Sequence, residues 1–478
     1  MKRYVNIIII CFSFLFIAIS CKHLAVESKP NVQYSQAEKQ AFLDTLENRT
    51  FHYFWDLADP NTGLIPDRAP TKSFSSIAAT GFGLTADVIG VKRGYVTRSQ
   101  AANRVLKTLK FFWNAPMGPQ ASDVTGYHGF YYHFLDMSTG KRFKNVELST
   151  IDTTWLLAGI LVSRDYFDGS SPAEQQIRAL ADSINNRVDW KWFTKSDSLV
   201  SMGWHPESGF LNAEWKGYNE GSFLYVLALG SPTHPLGPVS WKKWTDGYDW
   251  ASYYGYQAVQ FGPLFGHQYS QMFVNYKGIQ DAYMKNVGSD YFENSKRATL
   301  AQIDYAKHNP MHFAGYGANV WGLTACDGPA NQTVTWSGNK IKFHTYTARG
   351  EAANYDNDDG TIAPTAAGGS IPFTPDQSIT ALMYMKDHYP GIWGKYGFKD
   401  SFNPTYPKAT GGNGVWYDKD YLGIDQGPIL IMAENYRSGM IWKLLEKDPV
   451  VIRGLKRSGF TGGWLKNATS TMQKANMN

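Results

Sequence analysis

Two kinds of helical pattern alternate along this chain. Stretches 36–58, 98–115, 172–188, 291–308 and 375–388 carry apolar residues at helical spacing on one side and charge on the other. Between them, 77–89, 151–162, 220–229, roughly 318–326 and 428–435 are apolar all round and contain or adjoin glycine. A helix with one polar side keeps that side in water, whereas a helix apolar on every side must be enclosed. The alternation therefore predicts an all-α body in which an outer ring of helices surrounds an inner ring, a toroid of helical hairpins. The segment 231–288 is too rich in Gly, Pro and aromatic residues to read the same way, and a sixth inner helix is expected near 267–276. One small β-hairpin is expected over 129–146, turning at 138–141. The stretch 327–375, with little helical pattern and many Gly, Thr and Asn residues, reads as long loops that serve as a lid or a subsite wall.

Three of the apolar helices have acids at their mouths. In the stretch EWKGYNEGSFLYVLALGSPTHP, Asn219 is a good N-cap, Gly230 sits where a C-cap belongs, and Glu220 falls in the first turn. In ELSTIDTTWLLAG, Glu147 and Asp152 precede or open the helix. In GIDQGPILIMAENYRSG, Asp425 comes just before Pro428, whose fixed φ and missing N–H suit the first helical position. Each acid has an ordinary explanation as well. Glu220 could merely complement the helix dipole, and Ser149-Thr150-Ile151-Asp152 resembles a capping box with Asp for the usual Glu. If the helices run parallel about one axis, their acids meet in a carboxylate-lined cup, the furniture of sites that cleave carbohydrate.

The chain opens with Lys2 and Arg3, no acid, and an apolar run from Ile7 to Ile19, a secretory signal over 1–20. Ala18-Ile19-Ser20-Cys21 resembles a bacterial lipobox, so Cys21 is expected to be a lipidated N-terminus, and 21–36 its tether; plain cleavage nearby is the alternative. The product would be exported and lipid-anchored, periplasmic or on the cell surface. The remaining body, 37–478, has no internal linker and reads as one domain with a single cysteine, Cys326, and so no internal disulfide.

The formal net charge of +5 is spread along the chain, which excludes a nucleic-acid partner and suits a neutral one. The chain has 16 Trp, 29 Tyr and 27 Phe, many of them beside Gly, Asn, Asp or His in segments such as WHPESGF, WKGYN and GYGANVWG. Rings among polar groups suit sugars, which have apolar faces and hydroxyl edges. The histidines His128, His133, His205, His234 and His267 have no metal-ligand spacing and read as hydroxyl-binding groups. Nor does the loop 355–360 fit the EF-hand pattern; it reads as a polar loop over the cup, with a looser ion site as the alternative. There is no HExxH, GxSxG or P-loop.

The segments GLIPDR, SIAATGFGLTADVIGV, HGFYYHFLD, ELSTIDTTWLLAG, SMGWHPESGF, GYNEGSFLYVLALGSPTHP, PLFGHQYSQ, DYFENSKRAT, WGLTACDGP, DDGTIAPTAA and IDQGPI resemble the bacterial glucoamylase-like family classed as glycoside hydrolase family 144. The resemblance runs from Phe42 to Trp442. It implies an (α/α)6 toroid and hydrolysis of β-1,2-glucan with inversion, without metal or organic cofactor. Known members are endo-β-1,2-glucanases, with exo-acting relatives that release sophorose, and the endo mode is the one expected here.

The resemblance also implies Glu220 as general acid. The base is Glu147, Asp152 or Asp425, with Glu147 placed first; an inverting pair stands about 6.5–9.5 Å apart. A helix N-terminus should depress the pKa of Glu220, so burial or a neighbouring carboxylate must oppose it. Substrate contacts are expected from Arg68, His128, Trp204, Trp215, Tyr218, His267, Gln268 and Trp321, in a monomer. The reading from another class is a glycan-binding lipoprotein that cleaves nothing, but binding alone does not call for acids at three helix mouths.

Overall fold

The computed structural model describes residues 32–194, 198–408 and 414–468. Cys21, the signal 1–20 and most of the tether lie outside them. Each polar-faced stretch forms a helix where its caps allow. Helix α1 (Gln36–Leu57) starts at a full Ser35/Glu38 capping box and α3 (Arg98–Asn114) at a Thr97/Gln100 box. With α5 (Pro172–Asn186), α8 (Tyr291–His308) and α10 (Pro375–His388) they lie outside the enclosed helices. The enclosed set comprises α2 (Ile77–Arg93), α4 (Thr150–Tyr166), α6 (Ser222–Gly230), α7 (Phe265–Phe273), α9 (Pro364–Gly368) and α11 (Gly423–Ser438). The ring closes in the order α2, α4, α6, α7, α9, α11 and back to α2, and the fold is an (α/α)6 toroid.

Glycine sets how tightly α2 and α4 approach. A Cβ on Gly81 would stand 2.1 Å from the Trp155 carbonyl oxygen, and one on Gly159 would stand 2.0 Å from that of Gly81. Down the axis, Phe82, Trp155, Phe223 and Phe273 from four inner helices fill the ring with nearly parallel faces, ring centroids 5.7 to 6.4 Å apart. The sixth outer position, behind α6, is taken by α12 (Pro449–Arg457) from the end of the chain. There a Cβ on Gly454 would lie 1.9 Å from the Val226 carbonyl oxygen.

Four expectations are corrected. Residues 318–326 form no helix: Gly322 has φ 134°, and Ala325–Cys326 pairs with Thr347–Ala348 as a short strand. The fifth inner helix is instead the five-residue α9. Pro428 is not at the first helical position but inside α11, where it leaves the Ile424 carbonyl without its intrahelical donor; the Tyr269 hydroxyl donates to that oxygen at 3.2 Å. Asn219 does not cap α6, because the helix begins at Ser222; its Oδ1 accepts from Gly221 N at 2.8 Å, and Glu220 lies just before the first turn. Finally, the hairpin turning at 138–141 is present but shorter than 129–146: Asp136 N donates to Lys141 O at 2.8 Å, Phe143 N to Phe134 O at 3.0 Å, and Leu135 bridges Arg142, while the longer pairings lie elsewhere. Phe134–Leu135 joins Ser75–Ser76, and Phe130–Tyr132 joins an antiparallel five-stranded sheet with Gly126–Tyr127, Leu148–Ser149, Gly203–His205 and Gly209–Phe210.

The stretch 327–375 contains a hairpin, Gln332–Trp336 with Asn339–Phe343, and a second pair, Gly350–Ala352 with Tyr355–Asn357. Buried Arg349 clamps it by two bonds to Asp359, 2.7 and 2.8 Å. The acids of the 355–360 loop are largely spent within the protein: Asp358 accepts from the hydroxyls of Tyr305 and Tyr316.

Candidate active site

Short strands deliver the acids to the N-terminal end of the inner ring. Tyr132 stands opposite Leu148 in the sheet, which sets His133 beside Glu147 just as the chain turns into α4. Ser149 caps that helix, accepting from Asp152 N at 3.2 Å and donating its hydroxyl to Asp152 Oδ2 at 2.5 Å. The capping-box reading of Asp152 is half realised, since its other oxygen faces His133 Nε2 at 3.5 Å. His133 Nδ1 meets Glu147 Oε1 at 2.7 Å, so one imidazole bridges two carboxylates. Burial pulls its pKa down, but Asp152 and Glu147 outweigh burial and hold it at about 9. Glu147, which burial alone would raise, is kept below the usual carboxylate range by His133. Burial leaves Asp152 raised despite the same partner.

Glu220 is half-buried, and its carbonyl oxygen accepts a bond from the Ser270 hydroxyl. Burial, with help from the charge of Asp152, lifts its carboxyl to about 7 against the pull of its own backbone N–H. This is the opposing effect that a general acid beside a helix N-terminus requires.

A second group forms across the ring. Strand Arg68–Ala69 pairs with Tyr421–Leu422, and Gly423 N donates to Asp67 O at 2.8 Å, so Asp67 and Arg68 arrive beside the first turn of α11 and Asp425. Arg68 Nε contacts Asp67 Oδ2 at 3.1 Å, and its Nη1 contacts Asp327 Oδ2 at 2.6 Å. Asp400 and Asp425 are both buried and adjacent. Burial raises both, Asp400 well above the carboxylate range and Asp425 to about 7. Asp425 Oδ2 has no hydrogen-bond partner among the described residues. Above them Tyr346 is 56% exposed, and the walls about its hydroxyl together with the charges of Asp425, Asp400 and Asp67 push that hydroxyl up: an open aromatic face beside the carboxylates.

The structure thus brings Glu220, Glu147, Asp152, Asp425 and Arg68 to one end of the ring. The remaining expected sugar contacts are disposed otherwise. Trp215 is buried and donates to Thr150 Oγ1 at 2.9 Å. Tyr218 packs face to face with Tyr291. His267 is kept neutral by burial, which lowers its pKa to about 4, and contacts the Phe261 carbonyl at 3.1 Å. Gln268 Nε2 donates to Ala366 O and Ser370 Oγ, tying α7 to α9, and Trp321 is buried. Trp204 and His128 belong to an aromatic group around Trp192 on the five-stranded sheet, with His128 3.5 Å from Asp189. Sequence reasoning missed His133 as a carboxylate clamp, and Asp67, Asp327, Asp400, Asp418 and Tyr346 altogether. Asp67 and Asp327 lie in GLIPDR and WGLTACDGP, which was the available signal.

The family model described as "Putative glucoamylase" matches residues 212–449. The crystal structure of a protein with that same description from Bacteroides uniformis is 34% identical, covers 91% of this chain and 99% of its own, and has a TM-score of 0.78. The structure of an endo-β-1,2-glucanase from Chitinophaga pinensis, with sophorotriose and glucose, is 31% identical over 90% of this chain and 100% of that one, TM-score 0.77. The chain belongs to this glucoamylase-like family, the type of glycoside hydrolase family 144. An exo β-1,2-glucooligosaccharide sophorohydrolase of Parabacteroides distasonis is 30% identical over 459 residues, 89% of this chain. The chain spans 58% of that relative's length.

Proposed function

We propose that this chain hydrolyses β-1,2-glucan with inversion, Glu220 acting as general acid. The observation that carries the reading is the placement of Glu220 and Asp425 on inner helices three places apart in either direction round the ring, one with its pKa raised and the other with an unpartnered oxygen. A glucan lying across the cup would present its glycosidic oxygen to Glu220. Held at about 7, that carboxyl keeps its proton in mildly acidic to neutral solution and gives it to the leaving sugar. On the far face Asp425 takes a proton from the attacking water, and the hydrogen-bonding neighbour Asp400 lowers its pKa against the effect of burial. Asp425 is preferred as base over Glu147, whose Oε1 is engaged by His133, and over Asp152, which neighbours Glu220. His133 supports the acid side by offsetting part of the negative charge of Asp152 and Glu147.

The similarity to the Chitinophaga pinensis endo-β-1,2-glucanase, matched along that chain's full length, supports endo attack. The second reading, release of sophorose from a chain end, is favoured by the name of the Parabacteroides distasonis relative. Export, a lipid anchor at Cys21 and a monomeric state also belong to the proposal; the first two rest on residues 1–21 alone. The test is digestion of linear β-1,2-glucan of high degree of polymerisation, with new reducing ends, viscosity and product sizes measured early. A fast viscosity drop with mixed oligosaccharides is expected. Sophorose alone from persisting long chains would establish the exo mode, and no new reducing ends would remove the hydrolase reading. For the anchor, Cys21→Ala should release the protein from the membrane fraction.

A further inference from the structure

Asp400, the neighbour of the proposed base Asp425, also belongs to a second group whose other members the proposed reaction does not use. Asp327, Asp400 and Asp418 come from three separate segments, and one carboxylate oxygen from each falls within 4.8 Å of the others. Backbone bonds fix the segments together: Asp327 N donates to Asp400 Oδ2 at 2.7 Å, Ser401 Oγ to Asp327 O at 2.7 Å, and Asp418 N to Ser401 O at 2.9 Å. Asp400 is 1% exposed and Asp418 8%. Each has an oxygen with no hydrogen-bond donor among the described residues, Asp400 Oδ1 and Asp418 Oδ2. Buried carboxylate oxygens normally find a donor or a cation, because leaving them bare costs the full desolvation of the charge.

The positive charge at hand is insufficient. Arg68 is divided between Asp67 and Asp327. Asp418 Oδ1 is already occupied by Lys419 N and Asp420 N at 2.6 and 3.3 Å, and Asp420 Oδ1 by Thr71 N at 2.8 Å. The donor set is oxygen only, and its carboxylate oxygens lie within 4.8 Å of one another, close enough for a calcium ion with ligand distances of ~2.3–2.6 Å to reach all three.

We infer that Asp327, Asp400 and Asp418 form a calcium site that pins the 327, 400 and 418 segments to one another beside α11. Water and backbone carbonyls complete the coordination, as oxygen cages for this ion usually require. The ion is structural and takes no part in bond cleavage.

The experiment uses chelator-stripped, full-length protein titrated with calcium chloride by calorimetry, with melting temperature read in parallel and circular dichroism confirming the fold. One calcium per chain with a raised melting temperature is expected. Asp418→Asn keeps Oδ1 for its two backbone donors, so it should fold and weaken calcium binding at least tenfold. Asp327→Asn provides the second variant and should do the same, while Asp356→Asn, in the 355–360 loop, should bind like wild type. No heat and no melting shift at ~1 mM calcium, the range of extracellular modules, would overturn the assignment. So would binding that Asp418→Asn and Asp327→Asn leave unchanged. Hydrolysis is read separately, so a missing ion and a missing activity are told apart.

Discussion

The Nδ1 atom of His133 stands 2.7 Å from the Glu147 carboxylate, while the opposite ring nitrogen faces Asp152 at 3.5 Å. Two acids at the mouth of α4 thereby share one cation, and the charge that reaches Glu220 from Asp152 is moderated by an imidazole. His133→Gln retains size and one donor but not the positive charge. It should lower kcat by about 10- to 100-fold with KM little changed, the scale of a misplaced proton-transfer partner. An unchanged kcat would make His133 a packing residue only.

The same imidazole has a consequence for stability. Its folded pKa of about 9 lies above its ordinary 6.5, so its contribution is complete below pH 6.5 and disappears as pH rises through about 9. Thermal unfolding of wild type and His133→Gln should differ most below pH 6.5 and converge above pH 9. Parallel melting curves across that range would contradict the assignment.

Glu220→Gln should cut turnover by about 10² to 10⁴ while raising the melting temperature at neutral pH. The sign comes from burial: a carboxyl whose pKa is raised from 4.5 to about 7 disfavours the folded state once pH exceeds 4.5, and an amide has no proton to hold. Turnover near wild type would dismiss Glu220 as the acid.

The pH dependence of kcat/KM should be a narrow bell near neutrality, because Asp425 must be ionised and Glu220 protonated, and both are held at about 7. Asp400→Ala removes the hydrogen-bonding neighbour that lowers the Asp425 pKa. The acidic limb should then move to higher pH while the alkaline limb stays in place. Movement of the alkaline limb alone would reverse the two roles.

Tyr346 presents its ring beside the carboxylates without burying it, as an aromatic platform for a sugar does. Tyr346→Ala should raise KM for short β-1,2-glucooligosaccharides several-fold, and Tyr346→Phe should nearly restore it. If Tyr346→Phe is as weak as Tyr346→Ala, the hydroxyl and not the face makes the contact.

Much of the ring was legible because burial writes itself into composition. The enclosed helices are apolar on every side, and the acids at three helix mouths stood out against them. What was not legible arose from pairing between distant segments. No local spacing connects Arg68 with Leu422, or Asp327 with Asp400 and Asp418, since only short strands and backbone bonds bring them together. The stretch 318–326 misled because its alanines and aliphatics read as a helix, while the conformation of Gly322 is one that other residues rarely adopt. The expected sugar contacts Trp215 and Tyr218 lie close to Glu220 in sequence, but their polar atoms, like those of His267 and Gln268, are engaged by protein groups.

Helix α12 is made after every inner helix and stands directly behind α6, whose leading loop carries Glu220. On the ribosome the other inner helices can assemble while the back of α6 is still bare. Completion of the catalytic wall therefore awaits synthesis of residues 449–457. Long-range closure of this kind slows folding, and a product terminated before Pro449 would expose an apolar helix to chaperones and proteases. A premature stop would thus be expected to yield no slow partial enzyme, only degraded protein.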